Sequence, residues 1–87
     1  MSSLITPYFV YLLECKDKSI YTGITTDLKR RLCEHKAGTG ARYTRARGVV
    51  KILCSEKYKT RSAALKREAE IKRWRREKKL QFAIWAH

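Results

Sequence analysis

The sequence is poor in the features that mark membrane, secreted and disulfide-bonded proteins. The N-terminal apolar run, residues 9–13, is far too short to span a bilayer and follows Pro7. We therefore expect neither a transmembrane helix nor a signal peptide. The three cysteines are widely separated and form no C-x-x-C pair, which is typical of reduced thiols in a cytoplasmic protein rather than of a disulfide framework.

Several catalytic and binding signatures are also missing. The chain has no P-loop, no Rossmann fingerprint, no C₂H₂ spacing and no HExxH motif. No two acidic residues fall on adjoining predicted elements, so two-metal hydrolysis is poorly supported. Acidic residues are scarce throughout, with 8 Asp and Glu against 21 Lys and Arg, a net charge of +13 and a pI near 10.1. This balance predicts a polyanionic partner.

The positive charge is unevenly distributed along the chain. Residues 1–26 carry no net charge, and the whole excess follows them through patterned segments. This distribution indicates a basic face on a folded domain rather than a disordered basic tail. No predicted helix pairs a wide, bulky apolar face with a basic one, so nucleic acid is favoured over an anionic membrane. We expect DNA in preference to RNA as the partner.

The pattern of apolar residues predicts one α+β domain. With 87 residues and 44% hydrophobic content, the chain fits a single domain over 1–87 with a core at about 7–80. The expected order is β-β-α-β-α-α, with three strands in a small antiparallel sheet. Strands are predicted at 8–14, 20–24 and 49–55, helices at 28–37, about 60–75 and 77–85, and a loop at 38–48.

Glu68 is the candidate metal ligand. The second predicted helix directs Ala64, Leu65, Ile71 and Trp74 toward the core, and Glu68 falls within that stripe. A carboxylate there is costly unless it is paired with a cation or binds a metal. The many basic residues nearby make an ion pair as compatible with this pattern as a metal site. Mg²⁺ commonly takes one or two carboxylates together with water and phosphate.

Arg31 and His35 lie one helical turn apart, so they share a face with Leu28 and Leu32. The planar guanidinium of Arg31 suits two phosphate oxygens. His35 is a candidate for proton transfer or for holding a tyrosine or a water. A solvated basic helix with a half-buried histidine would give the same pattern.

Tyr11 and Tyr21 lie on adjoining predicted strands, and Gly23 near the end of the second strand would allow a close approach. A tyrosinate base needs a nearby cation to lower its pKa, which a metal, Arg31 or Lys72 would supply. In the loop, arginines flank an aromatic ring, a combination suited to phosphate contacts and stacking. The predicted nucleic-acid contacts are Arg30, Lys36, Arg42, Tyr43, Arg45, Arg47 and Lys72.

Taken in order, these motifs resemble the GIY-YIG nuclease domain. The chain is similar from end to end to small single-domain bacterial members of that family, the YhbQ/YazA type, including the stretches YTGITTDLKRRL, GARYTR and RSAALKRE. The motifs are Phe9-Val10-Tyr11, then Tyr21-Thr22-Gly23, then Arg31 and His35, then Ala64-Leu65 followed by Glu68.

The resemblance implies a three-stranded antiparallel sheet flanked by helices and single-metal cleavage of a phosphodiester, with one Mg²⁺ or Mn²⁺. It implies that Glu68 binds the metal, that Arg31 stabilises the phosphate, and that Tyr11 is the general base, acting directly or through water. Tyr21 and His35 match residues that order the nucleophile and its hydrogen bonds.

Two departures from the family pattern matter. The motifs read FVY and YTG, which alters non-chemical positions but keeps both tyrosines and Gly23, the close-approach glycine. Some members also carry an Asn after the glutamate helix, whereas this chain has no Asn, and Lys72 or a neighbour would fill that space. The leading hypothesis is thus a metal-dependent endonuclease, and the alternatives are a non-catalytic nucleic-acid-binding module of the same fold and a protein-interaction adaptor.

Overall fold

The computed structural model describes residues 6–86, so the predicted domain limits at 1 and 87 lie outside the described residues. Within 6–86, none of the helices combines the length and apolarity needed to cross a bilayer. The elements follow one another as three strands and four helices: β1 Tyr8–Cys15, β2 Ile20–Thr25, α1 Leu28–Lys36, α2 Arg42–Arg47, β3 Val49–Tyr58, α3 Arg61–Lys72 and α4 Arg76–Trp85.

The sheet confirms the predicted α+β class. Its strand order is β2-β1-β3 with both pairings antiparallel, so the strand that is apolar on both faces is the central one. In the β1–β2 pair, Tyr11 lies opposite Gly23, which places the first tyrosine beside the glycine of the second motif. The β1–β3 pairing shifts register between Leu12 and Leu13 and again before Cys15.

Each face of the sheet is covered by its own helices. Val10 and Leu12 of β1 point to one side, where Ala64 and Ile71 of α3 complete the buried cluster. Tyr11, Leu13 and Cys15 point to the other side and pack against residues of α1 and α2. This alternation follows from the two-residue period of a strand. The tyrosine of the first motif therefore lies between the sheet and α1.

The main difference from the predicted secondary structure is α2. Residues 38–48 were expected to form a loop, but Arg42–Arg47 is a helix of 6 residues that begins after Ala41 without a side-chain cap. A helix this short has too few turns to show an apolar period, and three glycines surround it. The predicted order is otherwise confirmed.

The two helices that carry candidate site residues have side-chain caps. Asp27 caps α1 by accepting the Arg30 N–H, and Gly38, at φ +82°, follows the end of this helix as predicted. Thr60 caps α3 in the same way through the Ala63 N–H. Helix α3 ends at Lys72 rather than at the predicted residue 75, so Trp74 lies in the turn that follows it.

Replacing Ile71 by Ala should lower the free energy of unfolding by about 2–5 kcal/mol, because this side chain is 1% exposed in the cluster that joins α3 to the sheet. Urea denaturation measures the effect. The matched control is Ile84→Ala, the same change at a side chain that is 74% exposed, which should cost less than about 0.5 kcal/mol. Equal losses for both variants would contradict the assignment of Ile71 to the core.

Candidate active site

A buried hydrogen bond joins the central strand to the first helix. The Tyr11 hydroxyl lies 2.7 Å from His35 Nε2, and both side chains are almost fully buried. Tyr11 faces α1 because side chains alternate between the two faces of β1, and His35 lies on the side of α1 that faces the sheet. Two of the five residues singled out from the sequence are thus in direct contact.

The bond continues through two further groups. His35 Nδ1 lies 2.7 Å from Thr44 Oγ1, and Thr44 Oγ1 donates in turn to the Ala41 carbonyl at 3.1 Å. With its proton directed to this carbonyl, Thr44 accepts from the N–H at His35 Nδ1. In that tautomer His35 Nε2 is unprotonated and accepts the proton of Tyr11.

Burial shifts the pKa of both groups away from their charged forms. Desolvation raises the pKa of Tyr11 to about 12, although the hydrogen bond from Arg31 acts in the opposite direction. Desolvation, followed by the nearby charge of Arg31, lowers the pKa of His35. The sequence led us to expect a cation that lowers the Tyr11 pKa, but here burial outweighs Arg31. At neutral pH Tyr11 is a phenol and His35 a neutral base.

Arg31 is held in place from three directions. Its Nε donates to the Tyr11 hydroxyl at 3.4 Å, Nη1 to Glu34 at 3.0 Å and Nη2 to the Gly40 carbonyl at 2.8 Å. These bonds use three of the five N–H groups of the guanidinium, and the other two have no partner among residues 6–86. The side chain as a whole is 26% exposed.

Gly23 allows the two tyrosines to pack closely. A Cβ at this position would lie 2.5 Å from the Tyr11 hydroxyl and 2.8 Å from Cε2 of Tyr21, distances that no side chain tolerates. The Tyr21 ring lies 6.3 Å from the ring of Tyr11 and 5.3 Å from that of His35. Tyr21 is half-buried and therefore forms the outer layer over the Tyr11–His35 pair.

Glu68 lies on α3, whose neighbouring residues pack on the opposite face of the sheet, yet its charge acts on Tyr11. That charge adds only slightly to the raised pKa of the Tyr11 hydroxyl, well after desolvation. Its side chain is 14% exposed and Oε2 lies 3.5 Å from Lys72 Nζ, so the predicted ion pair is present. That pair does not lock the carboxylate, because the lysine is 54% exposed and can move into solvent.

The donor set allows only one type of metal site. In the part of the chain that the structure describes, no three His, Cys, Asp or Glu side chains are gathered closely enough to hold an ion. A single carboxylate such as that of Glu68 fits Mg²⁺ or Mn²⁺, which complete their shells with water and phosphate oxygens. It does not fit zinc, which takes three or four protein ligands. Glu68 is the residue that would hold the ion.

The other predicted contact residues are distributed around this cluster. Arg47 forms an ion pair with Asp17 at 2.9 Å and lies 4.0 Å above the ring of Tyr43. Tyr43 in turn packs against Tyr21 at 5.7 Å. Arg30 pairs with Glu34 at 3.5 Å, so the charge of Glu34 is shared between two arginines. Like Arg30 and Arg47, the remaining basic residues Lys36, Arg42 and Arg45 are exposed.

Four residues of this region were not among those predicted from the sequence. Thr44 and Gly40 support His35: the first accepts from Nδ1, and a Cβ at the second would lie 2.5 Å from that nitrogen. Thr22 and Lys79 lie on the other side of Tyr21 and are both buried. No periodic pattern in the sequence identifies these residues, because Thr44 lies in a short helix, Gly40 is a single glycine and Lys79 is one lysine among many. The stretch GARYTR was the sole indication, and it gave no role for its threonine.

Two clefts lie along β2, one on either side of Gly23. The arginine cleft has a volume of about 260 Å³ and is lined by Tyr8, Ile24, Thr25, Thr26, Arg30, Arg31 and Arg61. The lysine cleft has a volume of about 350 Å³ and is lined by Ile20, Tyr21, Thr22, Tyr43, Lys72 and Lys79. An anionic chain lying along β2 would cross the Tyr11 cluster midway.

Comparison with known proteins gives the same family as the sequence motifs. Residues 7–81 match the family model described as the GIY-YIG catalytic domain. The chain is similar to a UPF0213 protein of Haloquadratum walsbyi, with 57% identity over 76 residues that cover 87% of this chain and 85% of the relative. A UPF0213 protein of Streptococcus agalactiae is 49% identical, with 87% and 86% covered.

Solved structures agree with the fold. The solution NMR structure of a UPF0213 protein from Bacillus halodurans is 42% identical, with a TM-score of 0.57 over 91% of this chain and 84% of that one. A solution NMR structure of a protein from E. faecalis is 46% identical, with a TM-score of 0.59 over 87% and 81%.

We predict that Tyr11 ionises near pH 12 in the folded protein, because burial raises its pKa from 10.0 to about 12. Ultraviolet absorbance of tyrosinate should show a late step that Tyr11→Phe removes and Tyr43→Phe keeps. The raised pKa means that the protonated hydroxyl stabilises the fold below pH 10 and that this contribution is lost as the pH approaches 12. An unchanged titration of the Tyr11→Phe protein would contradict the burial of this hydroxyl.

Replacing Gly23 by Ala should destabilise the protein by about 1–3 kcal/mol, because the added methyl collides with the Tyr11 hydroxyl and the Tyr21 ring. Chemical denaturation of Gly23→Ala, Tyr11→Phe and the double variant forms a mutant cycle. The double variant should lose less stability than the sum of the single ones, since Phe removes the nearest colliding atom. Additive losses would show that the strain lies elsewhere.

Proposed function

The chain belongs to the GIY-YIG family, and on that premise we propose that it is a divalent-metal-dependent endonuclease that hydrolyses phosphodiester bonds of nucleic acid, DNA in preference to RNA. The observation that carries the proposal is the placement of the Tyr11 hydroxyl between Arg31 Nε and His35 Nε2. One oxygen is thereby in contact with a phosphate-binding cation and with a neutral base.

This placement supports a proton relay rather than a tyrosinate base. With its pKa raised to about 12, Tyr11 cannot be ionised at neutral pH, so it cannot take a proton without giving one up. In the relay, the attacking water transfers a proton to the Tyr11 oxygen while the Tyr11 proton passes to His35 Nε2. His35 becomes an imidazolium, and Thr44 continues to accept from Nδ1. The relay thus takes one proton from the water and delivers one proton to His35.

The relay requires water to reach a buried hydroxyl. Tyr11 is 1% exposed, and the half-buried ring of Tyr21 packs on its solvent side. We infer that Tyr21 moves when the substrate binds and that its own hydroxyl orders the incoming water. Gly23 leaves the space in which both rings meet.

Charge on the phosphate would be stabilised by Arg31 and by the metal. The two free N–H groups of Arg31 face a single phosphodiester, and its three other bonds fix the orientation of the guanidinium. A divalent cation bound to Glu68 would act as a Lewis acid on the phosphate. It would also neutralise the charge of the Glu68 carboxylate, which is one of the causes that raise the pKa of Tyr11. Lys72 would release Glu68 when the ion binds.

We predict that Glu68→Gln reduces Mg²⁺- or Mn²⁺-dependent cleavage by about 100-fold or more, because an amide is a poor ligand for the metal, while nucleic-acid binding stays nearly unchanged. The assay incubates branched, nicked and single-stranded DNA, and RNA, with metal or with EDTA. The matched control is Glu70→Gln, the same change two residues along α3 at a side chain that is 52% exposed. Cleavage by Glu68→Gln at the parent rate would refute its role as metal ligand.

The second candidate is a nucleic-acid-binding module without catalysis. The observations that favour it are the Glu68–Lys72 ion pair, which occupies the proposed ligand, and the burial of Tyr11. The same panel separates the two candidates, because binding that falls steeply with salt but yields no metal-dependent product would support the module. Tyr11→Phe is the companion variant: it removes the relay oxygen but leaves the Arg31 phosphate contact in place.

A further inference from the structure

The lysine cleft has a polar lining that the proposed reaction does not use. Five of its six lining residues carry a side-chain donor group: Tyr21, Thr22, Tyr43, Lys72 and Lys79. No carboxylate is among the lining residues, so its two lysines have no acid within the cleft to balance them. The cleft adjoins the Tyr11 cluster through Tyr21, which belongs to both.

Lys79 is an unusual residue for a buried position. It is 9% exposed, and its Nζ donates to the Ile20 carbonyl over a long distance of 3.4 Å. Within residues 6–86 it forms no salt bridge. Burial, and then the charge of Lys72, lower its pKa. A buried ammonium with one weak acceptor is costly, and an anion in the cleft would offset that cost.

Thr22 supplies an independent observation. Its side-chain oxygen is buried and has no hydrogen-bond partner among the described residues, and it is the one buried side-chain polar atom there in that state. The residue is 2% exposed and lines the same cleft as Lys79. Unpartnered buried hydroxyls are rare in folded proteins and usually indicate a water or ligand atom.

Lys72 connects this cleft to the proposed catalytic centre. It lines the cleft and lies 3.5 Å from Glu68 Oε2. If a cation binds Glu68, Lys72 loses its partner and becomes available to an anion in the cleft. Thr22 lines the lysine cleft and Ile24 lines the arginine cleft, two residues apart along β2, or roughly 7 Å. The lysine cleft and Arg31 would therefore contact different, neighbouring phosphates of one chain.

We propose that the lysine cleft is a second phosphate-binding site, in which Lys79, Lys72 and the Thr22 hydroxyl hold a phosphate group of the nucleic acid next to the one presented to Arg31 and Tyr11. The inference rests on the proposed function, since it assigns a neighbouring phosphate of the same substrate. Its consequence is that the enzyme binds a chain with two successive phosphates better than a ligand with one.

The test compares thymidine 3′,5′-bisphosphate with thymidine 5′-monophosphate in EDTA by calorimetric titration. The parent protein should bind the bisphosphate about tenfold more tightly, as expected for one added charge-assisted contact. Lys79→Gln should lose that preference. The matched control is Lys78→Gln, which removes the same charge from the adjacent residue, whose Nζ lies 4.5 Å over the Trp74 ring outside the cleft, and it should keep the preference.

Thr22→Val is a second variant, which tests the same site even if Lys79→Gln fails to fold. The isosteric methyl removes an unpartnered hydroxyl, so thermal stability should stay equal or rise while the preference for the bisphosphate falls about threefold. If Thr22 had only a structural role, thermal stability and bisphosphate binding would change together. For Lys79→Gln, the salt dependence of oligonucleotide binding should also become shallower by about one unit of slope.

The outcomes distinguish this proposal from the proposed function. If Lys79→Gln and Thr22→Val keep the parent preference while the parent cleaves DNA, the second site is refuted and the nuclease stands. If both variants lose the preference but no metal-dependent product forms with the parent, the site stands and the nuclease assignment fails. Equal affinity of the parent for the two nucleotides would refute the second site directly.

Discussion

The hydrogen bond between Tyr11 and His35 is the constraint on which the arrangement of this molecule depends. It joins β1 to α1 in the interior, where neither group can turn to water as an alternative partner. The other ring nitrogen of His35 contacts Thr44 of α2, whose hydroxyl is placed to donate to the Ala41 carbonyl. The short helix therefore supplies a hydrogen-bond partner for a buried residue of another element. The bond from Arg31 to the Gly40 carbonyl adds a connection between α1 and the segment before α2.

The sheet separates structural and chemical roles. The face that packs on α3 and α4 supplies a largely aliphatic buried cluster, and the face toward α1 and α2 holds Tyr11, Tyr21, His35 and Arg31. Glu68 belongs to α3, whose buried residues pack on the first of these faces. The candidate metal ligand and the phenol therefore come from layers on opposite faces of the sheet.

Much of this architecture was accessible from the sequence because the long elements obey simple periods. Strand β1 is apolar on both faces, and α3 carries one carboxylate on an apolar stripe, so the class, the order and the exceptional position of Glu68 follow from spacing. The support for His35 did not follow, since Thr44 lies in a helix of 6 residues without a repeating pattern. The raised pKa of Tyr11 was also hidden, because its cause is burial by α1 and Tyr21 rather than a neighbour in sequence. Lys79 looked like any other basic residue in a chain that has 21 of them.

The strand order has one further consequence for the proposed reaction. Within residues 6–86, strand β2, which carries Tyr21 and Gly23, pairs with β1 alone and forms an outer margin of the sheet. The proposed catalytic centre beside such a margin would not be a tunnel, so a polymer could be laid across it sideways at any point of its length. No free terminus has to be threaded through the protein, and a covalently closed circle would be as accessible as a linear molecule. The position of one strand thus favours incision within a chain over trimming from its ends.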